Sequence, residues 1–298
     1  MSVFRATTID QLQGKLAKLF TPDGLASGLA FEPGASDIII SPFSKCGTTW
    51  MQQTVHGLRT RGSMDFAEIT EVIPWIDAAA DLGQDLNADQ VATPRVFKSH
   101  LDWDRIPKGG RYICVLRDPM RALISMYKFF EGWLMEPGAI EFEEFAYKLY
   151  LARKAPAGYW HHLASWLEQR DNPQVLLLCY EQLQDSFPSQ LQVIADFLEI
   201  PLDDELREIV QRQSSLAFMR SHDSHFDDNF LRDWRSEALA VPRDNSSSEV
   251  SSAESASDRP EPSEQLIADM QERWQLEVSP RVGFQDYPAL LAWFEAQA

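Results

Sequence analysis

The sequence predicts an α/β fold, in which helices flank a P-loop-like parallel β-sheet. Strand-like and helix-like segments alternate along the 298 residues, which favours a layered α/β domain. The strand-like runs are apolar without alternation, as in parallel strands covered on both faces. With 44% hydrophobic residues the chain has ample material for one large core. We therefore expect a single domain over residues 1–298.

Four runs predict the strands of this sheet, at residues 37–41 (DIIIS), 95–100 (RVFKSH), 111–118 (RYICVLRD) and 174–181 (QVLLLCYE). Helical patterns lie between and after them, at residues 48–58, 119–130, 141–154, 158–170, 188–200, 203–215, 265–278 and 286–297. Residues 243–264 are rich in Ser, Glu, Asp and Pro and nearly lack apolar side chains. This composition predicts a mobile acidic loop within the domain.

Net charge and cysteine usage limit the possible partners. A formal charge of -18 argues against nucleic acid and anionic membranes, so a bound anion must be attracted by a local cluster of cations and N–H groups. The first twenty residues are too polar for a signal peptide, and no apolar run reaches membrane-spanning length. Cys46, Cys114 and Cys179 lack metal-type spacing, and two of them fall inside strand-like apolar runs, which predicts buried free thiols. We expect a cytoplasmic protein.

The stretch IIISPFSKCGTTWMQQTVHGL, residues 38–58, reads as a strand, a tight loop and a helix. In this layout, N–H groups of the loop and of the first helical turn converge on an anion. Gly47 would let the backbone approach it, Thr48 and Thr49 offer hydroxyl groups, and Lys45 offers a positive charge. The loop is not the ATP-binding string G-x-x-x-x-G-K-[ST], because Lys45 precedes the glycine. A nucleoside-type kinase using ATP and magnesium is therefore disfavoured.

Four motifs, in order, resemble those of the soluble PAPS-dependent sulfotransferases, where PAPS is 3′-phosphoadenosine 5′-phosphosulfate. SPFSKCGTTW resembles the 5′-phosphosulfate loop Y-P-K-S-G-T-T-W, with Cys46 where serine is usual. VLRDPMRALISMYKFF is similar to the 3′-phosphate segment, with Arg117 followed eight residues later by Ser125. FKSHLDW is similar to the K-T-H segment, and LLCYEQL matches a strand end that supplies a cofactor-binding tyrosine, Tyr180.

The resemblance implies the sulfotransferase fold, PAPS as donor, PAP as product, and sulfuryl transfer to a hydroxyl or amine without a metal. It implies that Lys45 and Lys98 cover the leaving phosphate, while His100 takes the acceptor's proton as general base. Trp50 would stack on adenine. The residues implied in donor binding are Lys45, Cys46, Gly47, Thr48, Thr49, Trp50, Arg117, Ser125, Tyr180, Ser214 and Ser215.

The acceptor is predicted only as a small molecule. Residues 129–145, together with the surroundings of Trp160 and Phe226, are aromatic and predict an apolar pocket. An apolar alcohol, a phenol or an alkyl chain would suit it, and an amine remains open. The pairs His161/His162 and His222/His225 have no third ligand at a set spacing, so we expect no metal site.

One family motif is missing, the C-terminal basic string R-K-G-x-x-G-D-W that covers the 3′-phosphate. The corresponding residues are acidic and serine-rich, so Arg243 or Arg259 would have to replace it. RVGFQDY, residues 281–287, is only superficially similar and lies too near the chain end. A second hypothesis is therefore a PAPS- or PAP-binding protein with weak or lost transferase activity.

Overall fold

A four-stranded parallel sheet forms the centre of the fold. The computed structural model describes residues 3–153, 156–242 and 260–297. The strands are β1 (Ile38–Ile40), β2 (Val96–Lys98), β3 (Arg111–Leu116) and β4 (Val175–Cys179). They are hydrogen-bonded in the order β2-β1-β3-β4, and every neighbouring pair is parallel. The predicted fold class is confirmed.

Helices follow and separate the strands within the described residues. In chain order they are α1 (Ile9–Leu16), α2 (Pro22–Leu29), α3 (Thr48–Thr60), α4 (Ile69–Val72), α5 (Pro119–Phe130), α6 (Phe142–Phe145), α7 (Tyr159–Leu167), α8 (Tyr180–Leu198), α9 (Asp204–Gln213), α10 (Leu216–Ser221), α11 (Asn229–Leu239), α12 (Glu264–Arg273), α13 (Ser279–Val282) and α14 (Tyr287–Glu295). Single π-helical turns extend α6 over Ala146–Tyr150 and join α12 to α13 over Trp274–Val278.

Both faces of the sheet are buried, as the unbroken apolar runs predicted. Successive side chains of a strand point to opposite faces, so Ile39 and Cys114 join one core cluster while Ile40 and Ile113 join the other. The first cluster includes side chains from α1, α5, α7, α12 and α14. The second includes side chains from α3, α4, α8 and α9. No helix among the described residues has the length and apolarity needed to cross a membrane.

Local sequence signals explain the helices nearest the sheet. Asp118 accepts a hydrogen bond from the Arg121 N–H and Pro119 follows it, so α5 begins where the proline predicted. Gly47 precedes α3 with φ of 94°, a left-handed conformation that glycine adopts without strain. Helices α1, α2, α4, α10, α11 and α13 were not predicted. Most of the predicted acidic loop, residues 243–259, lies outside the described residues, and Ser263 caps α12.

Candidate active site

The carboxyl ends of all four strands open into one cavity of about 690 Å³. The loop after β1 brings Lys45, and the end of β2 brings Lys98 and His100. Arg117 follows β3 and Tyr180 follows β4. Ligands of open α/β sheets bind at this edge, because strand-following loops and helix N-termini meet there. The sheet therefore gathers residues that are far apart in the sequence into one site.

Every predicted site residue except Cys46 lines this cavity. Those that do are Lys45, Gly47, Thr48, Thr49, Trp50, Lys98, His100, Arg117, Ser125, Tyr180, Ser214 and Ser215. Cys46 is 1% exposed and its N–H donates to the Phe43 carbonyl, so neither its thiol nor its amide faces the cavity. Burial raises the pKa of this thiol to about 12. The expected contact between Cys46 and the donor is thus not supported, since the loop turns this side chain into the core.

The loop between β1 and α3 is shaped around Gly47. A Cβ atom at Gly47 would lie 2.9 Å from the Tyr180 ring, closer than side chains pack, so only glycine fits. Lys45 has φ of 67°, a conformation unusual for a residue with a side chain. Its carbonyl accepts a 2.6 Å hydrogen bond from Arg117 Nη1, and its ammonium lies 4.0 Å from the centroid of Phe129. These contacts fix the conformation of the loop, and Lys45 lines the cavity.

Four residues of the cavity wall have a buried polar atom that lacks a hydrogen-bond partner within the described part of the chain. They are Trp75, through Nε1, and three residues at or next to the loop between β1 and α3, through Thr48 Oγ1, Arg117 Nε and Trp50 Nε1. Buried polar atoms without partners are costly and rare in folded proteins. A hydroxyl, a guanidinium N–H and an indole N–H on one wall can all donate to oxygens of an anionic ligand. These residues fit a nucleotide that carries phosphate and sulfate groups.

Aromatic rings form the wall next to the loop. Trp50 stacks on Phe187, with centroids 5.3 Å apart and planes at 27°, and meets Tyr180 edge-on. Tyr180 in turn lies under the Arg117 guanidinium at 4.2 Å. Ser214 Oγ accepts a hydrogen bond from Thr54 Oγ1, while Ser215 caps α10 by accepting the Phe218 N–H. Both serine hydroxyls are thus engaged within the protein, although both residues line the cavity.

His100 has a defined ring orientation. Its Nδ1 lies 2.8 Å from the Pro42 carbonyl oxygen, which can only accept, so Nδ1 carries the hydrogen and Nε2 carries the lone pair of the neutral ring. The His100 N–H donates to Asp77, which also accepts a hydrogen bond from Ser99. Burial lowers the pKa of His100, and the nearby Lys98 lowers it further. The imidazole is therefore neutral at physiological pH.

Lys98 forms a buried ion pair that the sequence did not predict. Its Nζ donates to both carboxylate oxygens of Asp228, at 2.8 and 2.9 Å, and lies 3.9 Å from the centroid of Trp75. Burial alone would raise the pKa of Asp228, but the pairing with Lys98 outweighs this and the pKa is lowered. Asp228 also neighbours Glu68, whose pKa is raised to about 7, mainly by burial and then by the Asp228 charge.

Much of the remaining cavity lining is apolar. The apolar side chains in it include Leu19, Phe20, Trp75, Met126, Phe129, Phe130, Trp133 and Leu231. Residues from the predicted segment 129–145 thus do line the cavity. Trp160 and Phe226 do not, because they are 1% and 0% exposed and pack inside the two core clusters. Neither ring borders the cavity, whereas Asp228, two residues after Phe226, does.

One group of potential metal ligands occurs in the described residues, away from the cavity. Atoms of Asp102, Asp104 and His161 lie within 4.8 Å of one another. Asp102 already accepts a hydrogen bond from the Arg105 guanidinium, and His161 contacts Arg281. Arg281, in the string that superficially resembles the missing motif, pairs with Glu168 and does not line the cavity. Arg243 and Arg259 lie outside the described residues.

Residues 35–275 match the sequence model of the sulfotransferase domain, which covers most of the chain. This chain belongs to the sulfotransferase domain family. The match confirms the predicted enzyme class, a PAPS-dependent sulfotransferase. This sulfotransferase is 27% identical to sulfotransferase 1E1 of Homo sapiens over 206 residues, which are 65% of this chain and 70% of that protein. It is 26% identical to sulfotransferase 1B1 of Mus musculus over 204 residues, or 64% and 68% of the two chains.

Solved structures have the same fold. Mouse sulfotransferase SULT7A1 complexed with PAP matches with a TM-score of 0.63 and 18% identity, covering 87% of this sulfotransferase and 90% of that chain. Retinol dehydratase in complex with androsterone and the inactive cofactor PAP matches with a TM-score of 0.64 and 15% identity, covering 89% and 85%. At these identities the likeness shows the fold alone.

Sequence reasoning missed Asp77, Trp75 and Asp228, all on the cavity wall. Asp77 accepts hydrogen bonds from the Ser99 hydroxyl and the His100 N–H, and it lies in a segment without a strong helical or strand pattern. Trp75 could have been noticed as an aromatic residue between apolar ones in VIPWID. Asp228, in the polar stretch HDSHFDDN, offers no signal that separates it from Asp227.

Proposed function

We propose that this sulfotransferase transfers the sulfuryl group of PAPS in line to a hydroxyl group, or an amine, of a small apolar acceptor, with His100 as general base. PAPS supplies an activated sulfuryl group. The observation that carries the proposal is the 2.8 Å contact between His100 Nδ1 and the Pro42 carbonyl oxygen. This contact places the hydrogen on Nδ1, so Nε2 is free to accept a proton. Burial lowers the pKa of His100, which keeps the ring neutral.

Residues at the loop end of the cavity would hold the donor. The N–H groups of the first turn of α3, with Thr48 and Thr49, suit the 5′-phosphosulfate, because a helix N-terminus favours an anion. The Arg117 guanidinium and Ser125, both on the cavity wall, suit the 3′-phosphate. Thr48 Oγ1, Arg117 Nε and Trp50 Nε1 have no partner among the described residues, and they support this placement because a bound nucleotide would give each a partner.

Charge that develops on the leaving phosphate would be stabilised by Lys45 and Lys98. Both ammonium groups lie at the cavity, and preorganised charges of this kind stabilise a transition state without reorganisation. A sulfuryl group carries less charge than a phosphoryl group, so two lysines and the loop N–H groups suffice in this proposal. We therefore propose a reaction that requires no metal.

The acceptor would bind among the aromatic rings of the cavity wall. Phe129, Phe130 and Trp133 line the cavity, and their large apolar surfaces favour an apolar or aromatic molecule. Androsterone and retinol, which are bound in structures of retinol dehydratase, are small apolar alcohols and support this class. His100 borders the same cavity, so an acceptor held there can approach the imidazole.

We also propose that the chain forms a single domain and that the protein is located in the cytoplasm. The family match over residues 35–275 crosses the acidic segment 243–264, which supports one domain interrupted by a loop. Cys46, Cys114 and Cys179 are buried and free, which suits the reducing environment of the cytoplasm.

The test is an acceptor screen in which PAP release from PAPS is measured without added metal and with a chelator. We expect release that depends on an apolar alcohol, phenol or amine. Tight PAP binding with no release for any acceptor would favour the alternative, a binding protein that has lost turnover. Transfer from ATP with magnesium in place of PAPS would contradict both.

A further inference from the structure

Asp228 is placed by α11 at the catalytic end of the cavity, which is the part of its wall that carries Lys98 and His100. It lies directly before the first residue of this helix, with φ of 46°, a left-handed conformation that costs energy for a residue with a side chain. From there its carboxylate accepts both hydrogen bonds of Lys98 Nζ, across a sequence separation of 130 residues. Lys98 is 2% exposed and Asp228 is 8% exposed.

The surroundings of the pair hold it rigidly. The Trp75 ring faces the ammonium of Lys98 on one side. The Thr70 hydroxyl donates to Asp228 at 3.3 Å, and the Glu68 carboxylate accepts the Phe230 N–H at 2.8 Å, which fixes the first turn of α11. A lysine ammonium on its flexible stem has many possible positions, and this arrangement selects one of them.

The pair belongs to the cavity wall, which separates it from a purely structural ion pair. Lys98 and Asp228 both line the cavity, as does Leu231 one turn further along α11. A buried ion pair is weak evidence for stability, because desolvation offsets most of the attraction between the charges. The position of the pair beside His100 indicates instead that it has a role in the reaction.

We propose that Asp228 is a positioning residue for sulfuryl transfer, which holds the Lys98 ammonium at the catalytic end of the cavity and acts only through that lysine. The proposal rests on the proposed function. A charge contributes most to a transition state when it is held in place beforehand, and misplacement by about 1 Å can cost roughly 100-fold in rate. Asp228 supplies that fixation, and its negative charge opposes the binding of an anionic donor.

The proposal predicts that a substitution at Asp228 lowers kcat without lowering PAP affinity. Asp228→Asn should lower kcat by up to about 100-fold, because the ammonium is no longer held in place. PAP affinity, measured by calorimetry, should be unchanged or higher, because a negative charge has left the cavity while Lys98 remains. Asp228→Glu keeps the charge and should restore part of kcat. Asp233→Asn, the same change at an exposed position of α11, is the matched control.

A double-mutant cycle with Lys98→Met tests whether Asp228 acts through the lysine. In the Lys98→Met background, Asp228→Asn should change kcat by less than about twofold, because the lysine through which Asp228 acts is gone; independent substitutions would instead give the same loss in both backgrounds. The double variant leaves no unpaired buried charge, so it and Asp228→Glu carry the test if Asp228→Asn fails to fold. The inference is overturned if Asp228→Asn loses kcat and PAP affinity in proportion, or if it costs as much without Lys98 as with it.

The outcomes separate this inference from the proposed function. If the wild type transfers nothing from PAPS to any acceptor, the proposed function fails and the role of Asp228 fails with it. If the wild type transfers and Asp228→Asn turns over equally fast, only the inference about Asp228 is overturned.

Discussion

Arg117 Nη1 donates a 2.6 Å hydrogen bond to the main-chain oxygen of Lys45. The residue proposed to bind the 3′-phosphate therefore also braces the loop proposed to bind the 5′-phosphosulfate. The same guanidinium lies over the Tyr180 ring and leaves Nε unpaired among the described residues. The ends of β1, β3 and β4 are thus linked through one side chain.

Replacing Arg117 should weaken donor binding selectively. An arginine bound to a phosphate makes charge-assisted hydrogen bonds, so Arg117→Ala should cost about 1.5–3 kcal/mol in PAP affinity. Adenosine 5′-phosphosulfate lacks the 3′-phosphate, and its affinity should fall much less. Calorimetry with both nucleotides measures the difference. Arg121→Ala, an exposed arginine on α5, is the control, and equal losses for both nucleotides would show that Arg117 only supports the loop.

Lys45→Ala should reduce turnover more than it reduces binding. The ammonium is proposed to meet charge that grows on the leaving phosphate, and removing one such group typically costs about 10²–10³ in kcat. PAP affinity should fall less, because the loop N–H groups and Arg117 remain. Rates at saturating PAPS are compared with those of Lys148→Ala, a surface lysine paired with Glu144. A variant that binds PAPS poorly but turns over normally at saturation would mean that Lys45 only anchors the donor.

The buried Glu68 should make stability depend on pH. Its pKa is about 7 in the fold against an ordinary 4.5, so the folded state retains a proton that the unfolded chain releases as pH rises between these values. Stability from this group is present below pH 4.5 and lost as pH rises through about 7. Glu68→Gln should thus gain up to about 3 kcal/mol at pH 8 and little at pH 4.5.

Urea unfolding at the two pH values measures this gain. Glu237→Gln, an exposed residue of α11, should show no such pH dependence. A Glu68→Gln variant that is less stable than the wild type at pH 8 would mean that the ionised carboxylate is favoured by its partners.

His100 should set the acid limb of the rate profile. Only the neutral imidazole accepts a proton, so kcat/KM should rise as pH rises through the pKa of His100 and then level off. Because burial and Lys98 lower that pKa, the limb should lie below the ordinary value of 6.5. His222→Ala, a histidine outside the cavity lining, should leave the limb in place. An acid limb above pH 7 would argue against a desolvated His100 as the base.

Much of this site could be predicted because its residues follow strands. The family motifs pointed to Lys45, Arg117 and Tyr180, and each follows a strand; a parallel sheet brings its carboxyl ends to one edge, so these residues meet in one site. Lys98 was found for the same reason, but its partner Asp228 was not. Asp228 lies at the cavity because it directly precedes α11, whose Leu231 also lines the cavity. No local sequence pattern predicts this placement.

The direction in which a side chain points was the second feature that the sequence could not predict. Cys46 stands within a phosphate-loop motif, yet the positive φ of Lys45 turns the chain so that the thiol enters the core. Trp160 is aromatic like the residues that do line the cavity, but α7 presents it to the interior. Residue type alone does not distinguish a ring that packs in a core from one that lines a pocket.

The most direct test of the account compares transfer of labelled sulfuryl from PAPS by the wild type and by His100→Ala, with PAP affinity measured for both. We predict acceptor-dependent transfer by the wild type, a loss of about 10²–10⁴ in rate for His100→Ala, and nearly equal PAP affinities. Near-wild-type transfer by His100→Ala would contradict the account.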